Sequence, residues 1–232
     1  ASENTALGYQ ALEANTTGAN NVAVGASTAD ANTTGSDNVA IGVSAFGTNT
    51  TGANNVAVGR AALFGNTSGG RNVASGMYAL YGNTSAFDNT AVGFNSLAAN
   101  TTGASNVAVG SYALDANTTA NYNTAVGGLA LSANTTGDYN TAVGNIALED
   151  NTTGAGNVAL GAYAIKNNTT GSNNVALGND SLGTNTTGGS NVAVGHQVLN
   201  ANTTADKNTG LGYRALSSNT TGDRNVAVGH EA

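Results

Sequence analysis

Residues 38–54 read Asn38-Val39-Ala40-Ile41-Gly42-Val43-Ser44-Ala45-Phe46-Gly47-Thr48-Asn49-Thr50-Thr51-Gly52-Ala53-Asn54, and the pattern starts again at Asn55-Val56-Ala57-Val58-Gly59. Working outward in both directions, Asn followed by Val or Thr, a small residue, usually an aliphatic, and Gly recurs from Asn4 to Asn225 at a constant interval of 17 residues. Numbered from that Asn, the unit is N, V/T, A, V/L/I, G, x, x, A, L, x, x, N, T, T, G, x, x. Slots 1 and 5 are Asn and Gly in all fourteen copies, and slots 12 and 13 are Asn and Thr in all thirteen complete ones. A period that tolerates no insertion is what stacked coils demand, because one extra residue would push every later side chain out of its column. A helical repeat is disfavoured by the obligatory Gly at slot 5, the usual Gly at slot 15 and the Asn-Thr-Thr between them. The expected fold is therefore all-β: a β-solenoid, or parallel β-roll, of 17-residue coils forming one continuous domain over residues 1–232.

Within each coil, slots 1–5 read as a strand and slots 7–9 as a second, with corners at the slot 5 Gly and at Asn-Thr-Thr-Gly. At about 4.8 Å per coil the stack would be a rod roughly 60 Å long. All charged residues, 13 acidic and 6 basic, fall in slots 6, 7, 10, 11, 16 and 17, which marks those slots as solvent-facing. Slot 4, aliphatic except for Ser75, and slot 9, apolar and large except for Ala29, are expected to fill the coil interior. Ala at slot 3, replaced only by Gly210, then faces outward and offers a small surface for close approach of another chain, which points to a parallel homo-oligomer. Asn38, Asn55, Asn106, Asn157 and Asn191 at slot 1, with Asn15, Asn32 and Asn134 at slot 12, are expected to form structural amide ladders from coil to coil.

Composition narrows the function. A net charge of -7, with only 8% of residues charged, argues against a nucleic-acid surface, which needs clustered Lys and Arg. Cys is absent, so no disulfide or thiolate site exists and compartment stays open on that count. No apolar run is long enough for a membrane span, and the N-terminus lacks the pattern of a signal peptide. The pattern runs to both ends without a capping repeat, as expected of a piece of a longer fibre.

The strand Asn38-Val39-Ala40-Ile41-Gly42 resembles the repeated strand of trimeric autotransporter adhesin heads. Asn123-Thr124-Ala125-Val126-Gly127, followed by Ala130-Leu131 and Asn134-Thr135-Thr136-Gly137, resembles repeat tracts of phage tail fibre-like proteins. The likeness covers the whole chain, although this unit is a few residues longer than the adhesin-head unit. It implies a left-handed parallel β-roll assembled as a homotrimer and used for attachment at a bacterial or virion surface, hence extracellular. The expected function is a non-enzymatic structural fibre or adhesin segment that needs no cofactor or metal, pairs with itself and meets a host-cell or surface receptor. The alternative is an ice-binding solenoid using the Thr ladders of slots 13 and 14.

Candidate sites are few. His196 and His230 share slot 6 two coils apart, and Glu13 with Asp30 (slot 10) and Asp206 with Asp223 (slot 16) stack one coil apart, where a Ca²⁺ site competes with plain solvated surface acids. Gly210-Leu211-Gly212 mimics a dinucleotide fingerprint but lies in register with the repeat. Sequons such as Asn15-Thr16-Thr17 are accounted for by the ladder and turn. One block departs from the pattern: Phe64, Met77, Tyr78, Tyr81, Phe87 and Phe94 gather on neighbouring coils, with Ser68, Ser75 and Ser85 among them. Such a cluster is expected either to bind a partner or to brace a weak core.

Overall fold

A computed structural model describes residues 2–232, and the chain forms two compact units, Ala1–Ala120 and Asn121–Ala232. Each is a parallel β-solenoid of 17-residue coils, with no helix among the described residues. The first unit carries β1 (Thr5–Leu7), β2 (Val22–Val24), β3 (Val39–Ile41), β4 (Val56–Val58), β5 (Val73–Ser75), β6 (Thr90–Val92) and β7 (Val107–Val109). The second carries β8 (Thr124–Val126), β9 (Thr141–Val143), β10 (Val158–Leu160), β11 (Val175–Leu177), β12 (Val192–Val194), β13 (Thr209–Leu211) and β14 (Val226–Val228). Within a unit each strand pairs in parallel with the next at an offset of one repeat, as in Val22↔Val39, Ala23↔Ala40 and Val24↔Ile41. The strict period is the covalent image of this register, since a one-residue slip would turn every side chain to the opposite face.

The strand faces are the reverse of the sequence expectation. Slot 3 points inward: Ala23, Ala57, Ala91, Ala125 and Ala159 are fully buried. Slot 4 points outward and fills no interior, leaving Ile41, Val92, Val143, Leu160 and Leu177 exposed. The physical reason is room. Slots 8 and 9, mostly Ala and Leu, are buried in the same coils as slot 3, and a thin coil closes over a methyl group where it would not close over Val. Gly210 shows the limit: a Cβ built there would collide with Cγ1 of Val198, which replaces the usual slot 8 Ala. Slot 9 is interior as expected, with Leu63, Leu80, Leu97, Leu131, Leu148 and Phe46 buried.

The second expected strand is also corrected. Slots 7–9 form turns, with slots 7 and 9 in the left-handed region, as at Ser44 (φ 56), Phe46 (φ 57), Tyr78 (φ 61) and Leu80 (φ 52). A pleated strand needs negative φ, so these residues cannot propagate one. Instead the two left-handed residues swing the chain so that slots 8 and 9 both face inward, and the bend is closed by Ala45 N–H to Gly42 O (3.2 Å) and Asn49 N–H to Phe46 O (3.4 Å). Left-handed backbone costs an L-residue roughly 1–2 kcal/mol. Burying the slot 9 side chain and bonding to neighbouring coils, as in Phe46 N–H to Ala62 O (2.9 Å), offsets it. At the slot 5 corner only Gly serves: Gly59 has φ +130, and a Cβ there would sit 2.6 Å from Gly76 O.

Asn ties the coil shut. Asn38 Nδ2 (slot 1) and Asn49 Nδ2 (slot 12) both donate to Gly52 O, at 3.0 and 3.1 Å, so one carbonyl joins the two corners of the coil. Asn49 Nδ2 also donates to Asn32 Oδ1 of the preceding coil (2.7 Å), and Asn38 Oδ1 accepts from the backbone N–H of Asn55 in the following one (2.9 Å). Both columns are amide-to-amide ladders, and slot 1 adds a bond to the backbone: Asn55 Nδ2 also donates to Asn38 Oδ1 (3.2 Å), the oxygen that accepts from the Asn55 N–H. Asn32, Asn38, Asn55, Asn106, Asn134, Asn157 and Asn191 are buried, and Asn15 is half-buried.

Candidate functional site: an uncharged strand face and an aromatic strip

Two surfaces stand out. The first follows from the inverted strand: slots 2 and 4 project from β1–β7 and again from β8–β14, giving each unit a stripe of Val, Thr, Leu and Ile with no charged residue. An exposed to half-exposed stripe made mostly of aliphatic residues is uncommon on a chain that lives alone in water. Only Ser75 interrupts the slot 4 column with a polar side chain.

The second surface is the aromatic block of the first unit. Phe64 and Tyr81 at slot 10 stack with ring centroids 5.4 Å apart and planes 8° apart. Tyr78 meets Tyr81 edge-on at 5.6 Å and Phe94 at 6.4 Å, and Phe94 meets Tyr112 at 5.3 Å. Five rings thus form one chain of contacts, each pair favourable by about 0.5–1.5 kcal/mol beyond area burial. Tyr112 belongs to this strip and escaped the sequence reading, although its place at slot 7, one coil beyond Asn95, was the available signal. Met77 lies exposed at slot 6 beside Tyr78. Phe87 lies elsewhere, at slot 16, where the Arg71 guanidinium sits 5.4 Å from its ring centroid. Arg71 itself is bidentate to Asp88, Nε to Oδ1 at 2.6 Å and Nη2 to Oδ2 at 2.9 Å. The block also has a structural component: a Cβ at Gly47 would come within 2.7 Å of the Phe64 ring, so Phe64 lies over the previous coil where slot 10 is empty.

The titratable candidates fall into ordinary roles. Tyr213 lies between His196 and His230, its ring stacked on theirs at 5.7 and 4.9 Å. Asp206 Oδ1 accepts from Gly189 N–H (2.7 Å), and Asp223 Oδ1 accepts from Asp206 N–H (2.8 Å), so these carboxylates cap the backbone of the preceding coil. Among the described residues no three His, Asp or Glu side chains converge as metal ligands would. The slot 12 Asn of each sequon is turned into its ladder. Of the two threonines, slot 13 spends its hydroxyl on the next coil, as in Thr33 Oγ1 to Thr50 O (2.9 Å), while slot 14 is exposed at Thr34, Thr51, Thr136, Thr153 and Thr170.

No protein-family model matches the chain, and no curated protein matches it significantly. The class defined by the geometry is that of parallel β-solenoid repeat proteins with 17-residue coils.

Proposed function

We propose that this chain is a non-enzymatic structural segment of an attachment fibre, extending or presenting an adhesive surface outside a bacterial cell or on a phage particle. In this reading copies lie side by side as a parallel homotrimer, each a left-handed roll, with slots 2 and 4 toward the common axis. The observation that carries it is the outward stripe of slots 2 and 4, uncharged on every strand and mostly aliphatic. Burial of such a stripe contributes about 25 cal/mol per Å², and its lack of charge lets identical chains meet there without repulsion. The resemblance of the repeat to adhesin-head and tail-fibre strands supports the same use. Sedimentation equilibrium tests it: three chains per particle is the expected result, and a folded monomer at micromolar concentration sinks the reading.

A second reading, ice binding, draws on the exposed slot 14 Thr column, a single file of regularly spaced hydroxyls and methyls. Its test is freezing-point hysteresis that disappears in a Thr153→Lys, Thr170→Lys variant with an unchanged melting profile.

A further inference from the structure

We propose that the stretch from Ser75 to Tyr112 fixes the register in which copies of this chain lie against one another. This rests on the lateral self-assembly proposed above and names a residue-level device within it. From β1 to β7, slots 2 and 4 read Thr5 and Leu7, Val22 and Val24, Val39 and Ile41, Val56 and Val58, Val73 and Ser75, Thr90 and Val92, Val107 and Val109. Two copies displaced by one coil would still set aliphatic against aliphatic almost everywhere. Apolar burial is non-directional and scales with area, so the stripe by itself does not separate the aligned arrangement from a slipped one. Charge does not separate them either, because every charged residue lies in other slots. A second copy is the fitting occupant, since the stripe is uncharged while the remaining surface carries a net charge of -7 that would repel a like chain elsewhere.

Slot 2 carries Thr in place of Val at Thr5 and Thr90, but slot 4 loses its aliphatic side chain in one place. Ser75 puts a hydroxyl where the other coils carry an aliphatic group, next to an exposed Val73. On the same coil, just past the slot 5 corner, stand Met77 and Tyr78, and the ring contacts continue through Phe94 to Tyr112 on the following coils. Aligned copies bring Ser75 to Ser75, where hydroxyls can bond one another, and each aromatic corner to its counterpart. A slip of one coil sets Ser75 against Val58 or Val92, leaving a hydroxyl in apolar contact, and sets Met77 and Tyr78 against the Arg60 coil in one direction or the Phe94 coil in the other, so that no corner meets its own counterpart. A polar position in a repetitive hydrophobic seam is an established way to specify register.

The test uses the full chain with reporter cysteines on the stripe, Val39→Cys and Val56→Cys, one coil apart and outside the key. Mixed and oxidised, the two variants should form same-position disulfides at least about tenfold more readily than the offset 39–56 disulfide, because a disulfide tolerates Cα separations only up to about 7 Å. Tenfold corresponds to about 1.4 kcal/mol of register preference. Adding Ser75→Val, Met77→Asn, Tyr78→Ser, Phe94→Asn and Tyr112→Ser, residues that those slots hold in other coils, should raise the offset product toward parity while same-position products persist. Ser75→Val alone, which cannot unfold a coil whose slot 4 is normally Val, should move the ratio in the same direction. Equal offset and same-position yields in the parent, or an unmoved ratio in both variants, overturns the proposal. A monomer in sedimentation with no cross-links of either kind overturns the trimer reading itself, an outcome distinguishable from loss of the register key alone.

Discussion

Ala40 and Ile41 are neighbours on β3, yet they live in different worlds: Ala40 is sealed inside the coil, and Ile41 keeps 40% of its surface exposed. The interior column and the outer stripe are both apolar, and the difference between them is volume. Inside, the chain closes on itself across the width of a few methyl groups, whereas outside nothing within the unit limits size. The largest expected effect exploits this contrast. Ala40→Arg should prevent folding, since it combines overpacking with an unpaired buried charge, costing several kcal/mol. Ile41→Arg should leave circular dichroism and proteolytic resistance intact while converting assembled particles to monomers in sedimentation. If both variants unfold, or neither does, the assignment of faces is wrong.

The interior column can be broken and mended within the same comparison. Val198 at slot 8 is fully buried opposite Gly210, the one slot 3 residue without a Cβ, and a methyl there would collide with Val198 Cγ1. Gly210→Ala should lower stability by about 1–3 kcal/mol. Val198→Ala should lower it through a cavity, and the double variant should recover most of the loss because it restores the pairing that other coils use. Strict additivity in denaturant titrations would show that the two residues do not share the space. A similar loss, about 1–3 kcal/mol, is expected for Asn134→Ala, which removes the acceptor of Asn151 Nδ2 (2.8 Å) and the donor to Gly137 O (3.1 Å). Ser132→Ala, at slot 10, is the control and should change the thermal midpoint little. Equal midpoints for the two variants would dismiss the slot 12 ladder as a source of stability.

Much of this was legible in the sequence. The period gives the coil, the obligatory Gly gives a corner, Asn at fixed slots gives the ladders, and confinement of charge to six slots gives the wet surface. The orientation of the strand was not legible, because Val-Ala-Val is apolar on both faces and a period of two then has no sign. The usable clue was size, namely Ala at slot 3 yielding only to Gly210, and only where Val198 stands at slot 8. The left-handed turn at slots 7–9 was hidden for another reason. Positive φ is normally announced by Gly or Asn, but here Leu63, Leu80 and Ile165 adopt it, held by burial and by bonds to adjacent coils. At the aromatic block, residue type gave the cluster, but ring geometry was needed to join Tyr112 to it and to set Phe87 apart.

The smallest expected effect concerns two aspartates, one on each side of the contrast between exposed and enclosed. The Arg71 guanidinium, bonded through two nitrogens to the Asp88 carboxylate, holds that carboxyl below its ordinary range. The native state therefore binds that proton less readily than the unfolded chain, so the contribution of Asp88 is present above the ordinary Asp range and is lost as pH falls through the lowered value. Because the pair is exposed, solvent and salt screen most of it. Asp115 behaves oppositely: partial burial pushes its carboxyl up, against hydrogen bonds from its own and the Ala116 backbone N–H. Its favourable contribution is complete below the ordinary Asp range and is lost as pH rises through the raised value, so an ionised Asp115 weakens the fold at neutral pH. Asp115→Asn keeps the acceptor oxygen and removes the charge, so at pH 7 it should raise the melting temperature, by no more than about 2 °C for a chain of this size. At pH 3 the same change should be silent. Asp88→Asn should lower the melting temperature slightly at pH 7, less in high salt, and also be silent once acid has neutralised the carboxyl. Thermal melts of the two variants should therefore move in opposite directions at pH 7, and Asp115→Asn should meet the parent by pH 3, whereas Asp88→Asn meets it only once pH has fallen through the lowered Asp88 value. A common sign at pH 7 would mean that burial and pairing do not divide these two carboxylates.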